Sequence, residues 1–189
     1  HWIGFEGALQ GYSFVGASAI SSLLGKGDDA ARYLDELIGR FVLPNTMYRE
    51  AGPVIETPLS AAQAVHEMLL QSEGGALRVF PALPASWREV AFADLRAQGA
   101  FLVSAVRREG RTACVRLTSL AGEPATLQVS DPAVELEAPG QPRLARNTWR
   151  LKLAKGQSLL VAPRRARLRE CAPAPVAAQA DRVNAFGLP

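Results

Sequence analysis

The chain has 189 residues, 48% of them hydrophobic, which is enough for one domain with a real core or for two small ones. No apolar run approaches the roughly 20 residues that a membrane helix needs. The net charge of +3 is confined to the end: from Pro163 onward five Arg face Glu170 and Asp181, and residues 1–162 hold 16 basic and 16 acidic residues, so the body carries no basic footprint for nucleic acid or anionic lipid.

Residues 1–73 read as helical. Trp2, Phe5, Glu6 and Tyr12 come first. Trp2 and Glu6 stand at helical spacing and would suit a sugar site, an aromatic face against the C–H side of a ring and a carboxylate on hydroxyls; core packing with an exposed acid is the plainer reading. From residue 12 to 24, Phe14, Val15, Ile20, Leu23 and Leu24 mix with Gly16, Ala17, Ser18, Ala19, Ser21 and Ser22, small residues that let another helix come close. Gly25-Lys26-Gly27 stops this helix. Asp28 and Asp29 open the next, at the positive end of its dipole. Its apolar positions Ala31, Leu34, Leu37, Ile38 and Phe41 recur at three and four, and Pro44-Asn45 ends it.

A long connection follows, holding Asn45, Tyr48, Arg49 and Glu50 and then Gly52-Pro53-Val54-Ile55-Glu56-Thr57-Pro58-Leu59. Thr57 reads as the N-cap of a third helix and Pro58 as its first residue. Ala61, Ala62, Val65, Met68 and Leu69 form its apolar stripe, with His66 at the edge, and Gly74-Gly75 is expected to terminate it. Glu56 is a carboxylate on a proline-stiffened loop at a helix start, a common way to aim an acid or base at a substrate. Its plainer role is to favour the helix dipole, worth about 0.3–1 kcal/mol.

After Gly75 the period changes from helical to two. Leu77, Val79 and Phe80 read as a strand closed by Pro81 and Pro84. The runs 101–106 and 112–117 flank Arg108-Glu109-Gly110-Arg111, a hairpin turn. Further strands fit 125–129, 149–153 and 158–161, so the region reads as an antiparallel sandwich. Trp87 and Trp149 read as core or inter-domain anchors. Cys114 alternates with Val115 and Leu117 and reads as a packed thiol. With Cys171 it forms no CxxC pair, and no His stands at ligand spacing, so no zinc site is expected. Residues 164–189 are rich in Ala, Pro and Arg and are expected to be a disordered tail. No phosphate loop, GxSxG, HExxH or EF-hand is present, and no cofactor is expected. The first residues, from His1 on, read as structured protein and not as a signal peptide.

Three helices with wide apolar stripes need further partners. The ordinary explanation is the C-terminal end of a larger helical enzyme together with its β-domain.

The run Glu67-Met68-Leu69-Leu70-Gln71-Ser72-Glu73-Gly74-Gly75, followed by Leu77-Arg78-Val79-Phe80-Pro81-Ala82-Leu83-Pro84 and Trp87, resembles glycoside hydrolase family 95, which contains α-L-fucosidases and some α-L-galactosidases. Leu95-Arg96-Ala97-Gln98-Gly99-Ala100-Phe101 continues the likeness, and Gly27-Asp28-Asp29-Ala30 resembles the start of a late barrel helix. The resemblance implies an α+β multi-domain protein. Residues 1–74 would be the last helices of an (α/α)6 catalytic barrel and residues 75–163 a C-terminal antiparallel β-sandwich. It also implies inverting acid/base hydrolysis of a terminal sugar, a carbohydrate substrate, the remainder of a parent chain as partner, and a secreted or periplasmic setting. The family's water-activating Asp lies in an Asp-Gly-Asn-Phe-Gly loop, eleven residues before the Glu of the Glu-Met-Leu-Leu-Gln-Ser motif. That position is Glu56 here, and Thr57-Pro58-Leu59-Ser60 replaces Gly-Asn-Phe-Gly. Glu56 is therefore the candidate catalytic base, and Trp2, Glu6, Asn45, Tyr48 and Arg49 are candidate substrate contacts. The general acid would lie upstream of His1, so the chain alone is expected to be inactive. A phosphorylase or lyase on the same fold, and a non-catalytic carbohydrate-binding or structural β-domain, are the competing readings.

Overall fold

The computed structural model describes residues 9–43, 47–49, 54–164, 166 and 171. Three helices lead: α1 (Gly11–Leu23), α2 (Gly27–Phe41) and α3 (Glu56–Leu69). Phe14, Val15, Ala30, Leu34, Leu37, Phe41, Ala64 and Met68 form one apolar cluster among them, with Trp87 packed against it. Two serines of α1, Ser18 and Ser22, are spacers with a satisfied hydroxyl. Buried Ser18 Oγ donates to the Ala30 carbonyl at 2.8 Å and Ser22 Oγ to the Ser18 carbonyl at 3.0 Å, so the close approach of α2 leaves neither group unpaired.

The α1–α2 corner forms as its glycines direct. Gly25 takes φ +71, and the N–H groups of Gly25 and Lys26 donate to the carbonyls of Ser22 and Ser21, a left-handed helix end. Gly27 has a different reason: a Cβ there would lie 2.3 Å from the Leu83 carbonyl oxygen. Asp28 Oδ1 accepts from the Ala85 N–H at 2.8 Å. The first turn of α2 therefore sits on the backbone of the loop that follows Phe80.

Two boundaries of α3 differ from the sequence reading. Ile55 is the N-cap, Glu56 the first helical residue, and Thr57 is fully buried in the first turn. Thr57 packs under the helix instead of capping it, and Pro58 is tolerated because the first-turn N–H groups have no helical partners anyway. At the other end, Gly74-Gly75 does not terminate the helix. Both glycines have positive φ, +57 and +77, the conformation of a two-residue hairpin turn. That turn pairs β1 (Leu70–Glu73) with β2 (Ala76–Val79), Leu70 opposite Val79, and the strand takes over at Leu70.

The remaining strands are β3 (Val90–Ala97), β4 (Phe101–Arg108), β5 (Arg111–Ser119), β6 (Ala125–Val129), β7 (Arg143–Ala145), β8 (Thr148–Leu151) and β9 (Ser158–Val161). One sheet has the order β1-β2-β6-β8-β7, the other β3-β4-β5-β9. Pairing is antiparallel except between β2 and β6, which run parallel. Leu77, Val79, Leu127, Val129, Trp149 and Leu151 of the first sheet share one core with Phe92, Phe101, Val103, Val115, Leu117, Leu159 and Val161 of the second, as a sandwich requires. The hairpin read at Arg108-Glu109-Gly110-Arg111 is present, with Glu109 and Gly110 at φ +51 and +76. β3 escapes the sequence pattern because a bulge between Phe92 and Leu95, with Asp94 at φ +52, breaks its alternation.

Cys114 is not a free packed thiol. It is joined to Cys171 across a Cα–Cα distance of 5.6 Å, within the usual disulfide span. Apart from Arg164, Ala166 and Cys171, the expected disordered tail lies outside the described residues.

The two layers differ in what they leave open. Eight of the nine large apolar side chains exposed among the described residues lie in the helical half, among them Ile20, Leu23, Leu24, Ile55 and Leu59. Among the described residues no helix is long and apolar enough to cross a membrane.

Candidate functional site

α1 and α3 run parallel. Their N-terminal residues line one pocket, and at the far end Gln71, two residues past α3, donates to the Ser22 carbonyl of α1. The pocket encloses about 510 Å³ between Gln10, Tyr12 and Ser13 on one side and Val54, Glu56 and Thr57 on the other. Glu56 is exposed in the first turn of α3. Two helix N-termini therefore converge on the pocket, and their partial positive charge favours an anion there. A carboxylate ringed by a phenol, a hydroxyl and a carboxamide can hold a polyhydroxylated ligand and accept a proton from a water.

Tyr48 and Arg49 lie elsewhere among the described residues. Tyr48 forms an isolated antiparallel bridge with Val42, and the Arg49 N–H donates to the Phe41 carbonyl at 2.7 Å. Arg49 lines a separate opening of about 700 Å³ beside Leu9, Arg40 and Phe41. Trp2, Glu6 and Asn45 lie outside the described residues, as does Glu50. Gln10, Ser13 and Val54 line the Glu56 pocket without having been singled out in the sequence. The only signal for Gln10 and Ser13 was their place at a helix start.

The run from Glu67 to Pro84 is the joint between the layers. Met68 fills the helical core, while Leu70, Leu77, Val79 and Phe80 enter the sandwich core. Gln71 Nε2 donates to the carbonyls of Ser22 and Glu67, both at 2.9 Å. The Phe80 ring meets Phe92 edge-on at 5.7 Å, and Ala82 and Leu83 receive the first turn of α2. Each position answers to a different neighbour, which is why the run is so particular in sequence. His66 is exposed and belongs to neither core. Among the described residues no group of His, Cys, Asp and Glu converges as metal ligands.

No curated protein matches the chain. Residues 71–158 match the family model described as glycoside hydrolase family 95, C-terminal domain, the same family that the Glu67 to Pro84 run resembles, and these residues coincide with the sandwich from β1 to the start of β9, so this part of the chain is similar to that C-terminal domain.

Proposed function

We propose that this protein is the C-terminal portion of a glycoside hydrolase that removes a terminal sugar, α-L-fucose or a relative, by inverting acid/base hydrolysis. The observation that carries the reading is the position of Glu56: an exposed carboxylate at the rim of a pocket built by the N-termini of two parallel helices. In this reading α1 to α3 close an (α/α)6 barrel, and the apolar side chains they expose face its other helices. Glu56 acts as general base. It draws a proton from a water that attacks the anomeric carbon, while a carboxylic acid from the rest of the parent chain protonates the leaving oxygen. Such pairs stand about 6.5–9.5 Å apart so that the water fits between them. Tyr48 and Arg49 contact more remote parts of the glycan, and Trp2, Glu6 and Asn45 complete the sugar contacts.

The test is a comparison in the parent protein. Glu56→Gln keeps the shape and removes the base, so release of sugar should fall by a factor of about 100–10,000, with no requirement for phosphate. An activity that needs phosphate and survives Glu56→Gln would instead identify a phosphorylase. The 189-residue chain by itself should release no sugar.

A second reading is a carbohydrate-binding or structural β-domain with docking helices. The favouring observation is that the family match lies almost wholly in the sandwich. Full activity in a parent protein lacking residues 70–164 would support it.

A further inference from the structure

A polar cleft lies where the helices meet the sandwich, at the opposite end of α3 from Glu56. It encloses about 440 Å³. Glu67 and Glu73 bring two carboxylates to it, Arg78 and Arg96 two guanidinium groups, and Gln63 and Gln98 two carboxamides. Its walls are held in place. Glu67 Oε1 accepts from Gln63 Nε2 at 2.7 Å, the Gln71 amide is fixed by two carbonyls, and Ser72 Oγ accepts from the Gln98 N–H at 3.1 Å. Among the described residues, the side chains of Arg78 and Arg96 make neither an ion pair nor a hydrogen bond.

We propose that this cleft binds a neutral sugar. The charge balance selects the ligand class. An anion would meet Glu67 and Glu73, and a cation would meet Arg78 and Arg96, so either charge faces opposition. A neutral polyol presents hydroxyls that donate and accept together. Its vicinal pairs can bridge a carboxylate and a guanidinium group without burying an unpaired charge. Leu23 at the rim supplies an apolar edge for the C–H face of a ring. The volume falls in the range of small-molecule sites. Gln63, the lining residue nearest to Glu56 along α3, is seven residues from it, about 10 Å at 1.5 Å per residue, and Glu67 and Glu73 lie further on, so a monosaccharide held between these carboxylates and the two guanidinium groups does not reach Glu56. The choice of sugars as probes rests on the glycoside hydrolase reading; the site itself does not depend on Glu56 being a base.

The experiment is calorimetry of the 189-residue chain with D-galactose and L-fucose, against D-galacturonate and D-galactosamine as charged counterparts. Saturable binding of at least one neutral sugar is expected, weaker for both charged ones. Arg96→Ala and Glu73→Gln alter exposed side chains and leave the fold intact. Each should weaken binding by about fivefold or more, the effect of one lost hydrogen bond, while Glu56→Gln leaves it unchanged. No saturable heat with either neutral sugar would overturn the proposal. So would tighter binding of a charged sugar, or affinity indifferent to both Arg96→Ala and Glu73→Gln. Loss of binding in Glu56→Gln alone would assign the sugar to the other pocket, whereas binding here with an inactive parent enzyme would sink only the hydrolase reading.

Discussion

Gln71 Nε2 and the Ser22 carbonyl oxygen stand 2.9 Å apart, 49 residues apart in sequence and both buried. This single hydrogen bond ties the end of α1 to the first strand of the sandwich. It gives the Ser22 carbonyl a second donor besides the Gly25 N–H. The same amide holds the Glu67 carbonyl at the end of α3, so one side chain serves two helix ends.

Replacing Gln71 with Leu removes both hydrogen bonds and should therefore cost about 1–3 kcal/mol, at about 0.5–1.5 kcal/mol for each. Denaturant unfolding followed by far-UV circular dichroism would measure it. An unchanged midpoint would show that neither bond adds net stability.

Two glycines of α2 should respond in opposite directions to alanine. Gly27→Ala drives a Cβ to 2.3 Å from the Leu83 carbonyl oxygen. Relief requires the backbone loop to move, at a cost of about 1–3 kcal/mol. Gly39 has nothing within 4 Å of its would-be Cβ, so Gly39→Ala should stabilise by about 0.5–1 kcal/mol through helix propensity. Paired thermal melts of the two variants would give the comparison. Equal shifts would mean that the first turn of α2 does not rest tightly on the backbone at Leu83.

Reduction of the Cys114–Cys171 bond, which spans 57 residues, should lower stability by about 2–4 kcal/mol. Unfolding curves with and without a dithiol reductant, with alkylation and mass analysis to verify the pairing, would read it. Rapid alkylation of both cysteines without reductant would refute the bond.

In the 189-residue chain, Glu56→Gln removes a negative charge from the first turn of α3. The expected loss of stability is only about 0.3–1 kcal/mol, and it should shrink as salt is added. Melting curves at low and high ionic strength would test this. A much larger loss would mean that Glu56 is a structural group and would weaken its assignment as a base.

Much of the fold was legible because local chemistry spoke for it. The stripe Leu34, Leu37 and Phe41 announced α2, Gly25 its approach from α1, and Glu109-Gly110 the hairpin between β4 and β5. The joint was less legible. Leu70-Gln71-Ser72-Glu73 continues a helical pattern, and only pairing with Ala76–Val79 makes it a strand, because the cross-strand hydrogen bonds exist only after the hairpin has folded. Thr57 carries the chemistry of a cap, yet burial beneath α3 outweighs that preference. The cysteine pair was illegible for a related reason: a separation of 57 residues gives no sign of which thiols meet.

The site divides along the same line. By itself the sequence determined the two structural regimes, the position of the carboxylate at a helix start, and the family likeness carried by the Glu67 to Pro84 run, since periodicity, turn chemistry and motif spacing are properties of neighbouring residues. Only the tertiary structure decided that Gln10, Tyr12 and Ser13 join Glu56 around one pocket while Arg49 lines another. Which residues share a cavity depends on how parallel helices more than 40 residues apart in the chain are set against each other, and that is fixed by the packing of Phe14, Ala64 and Met68 and by the hydrogen bond from Gln71, not by any spacing within a segment.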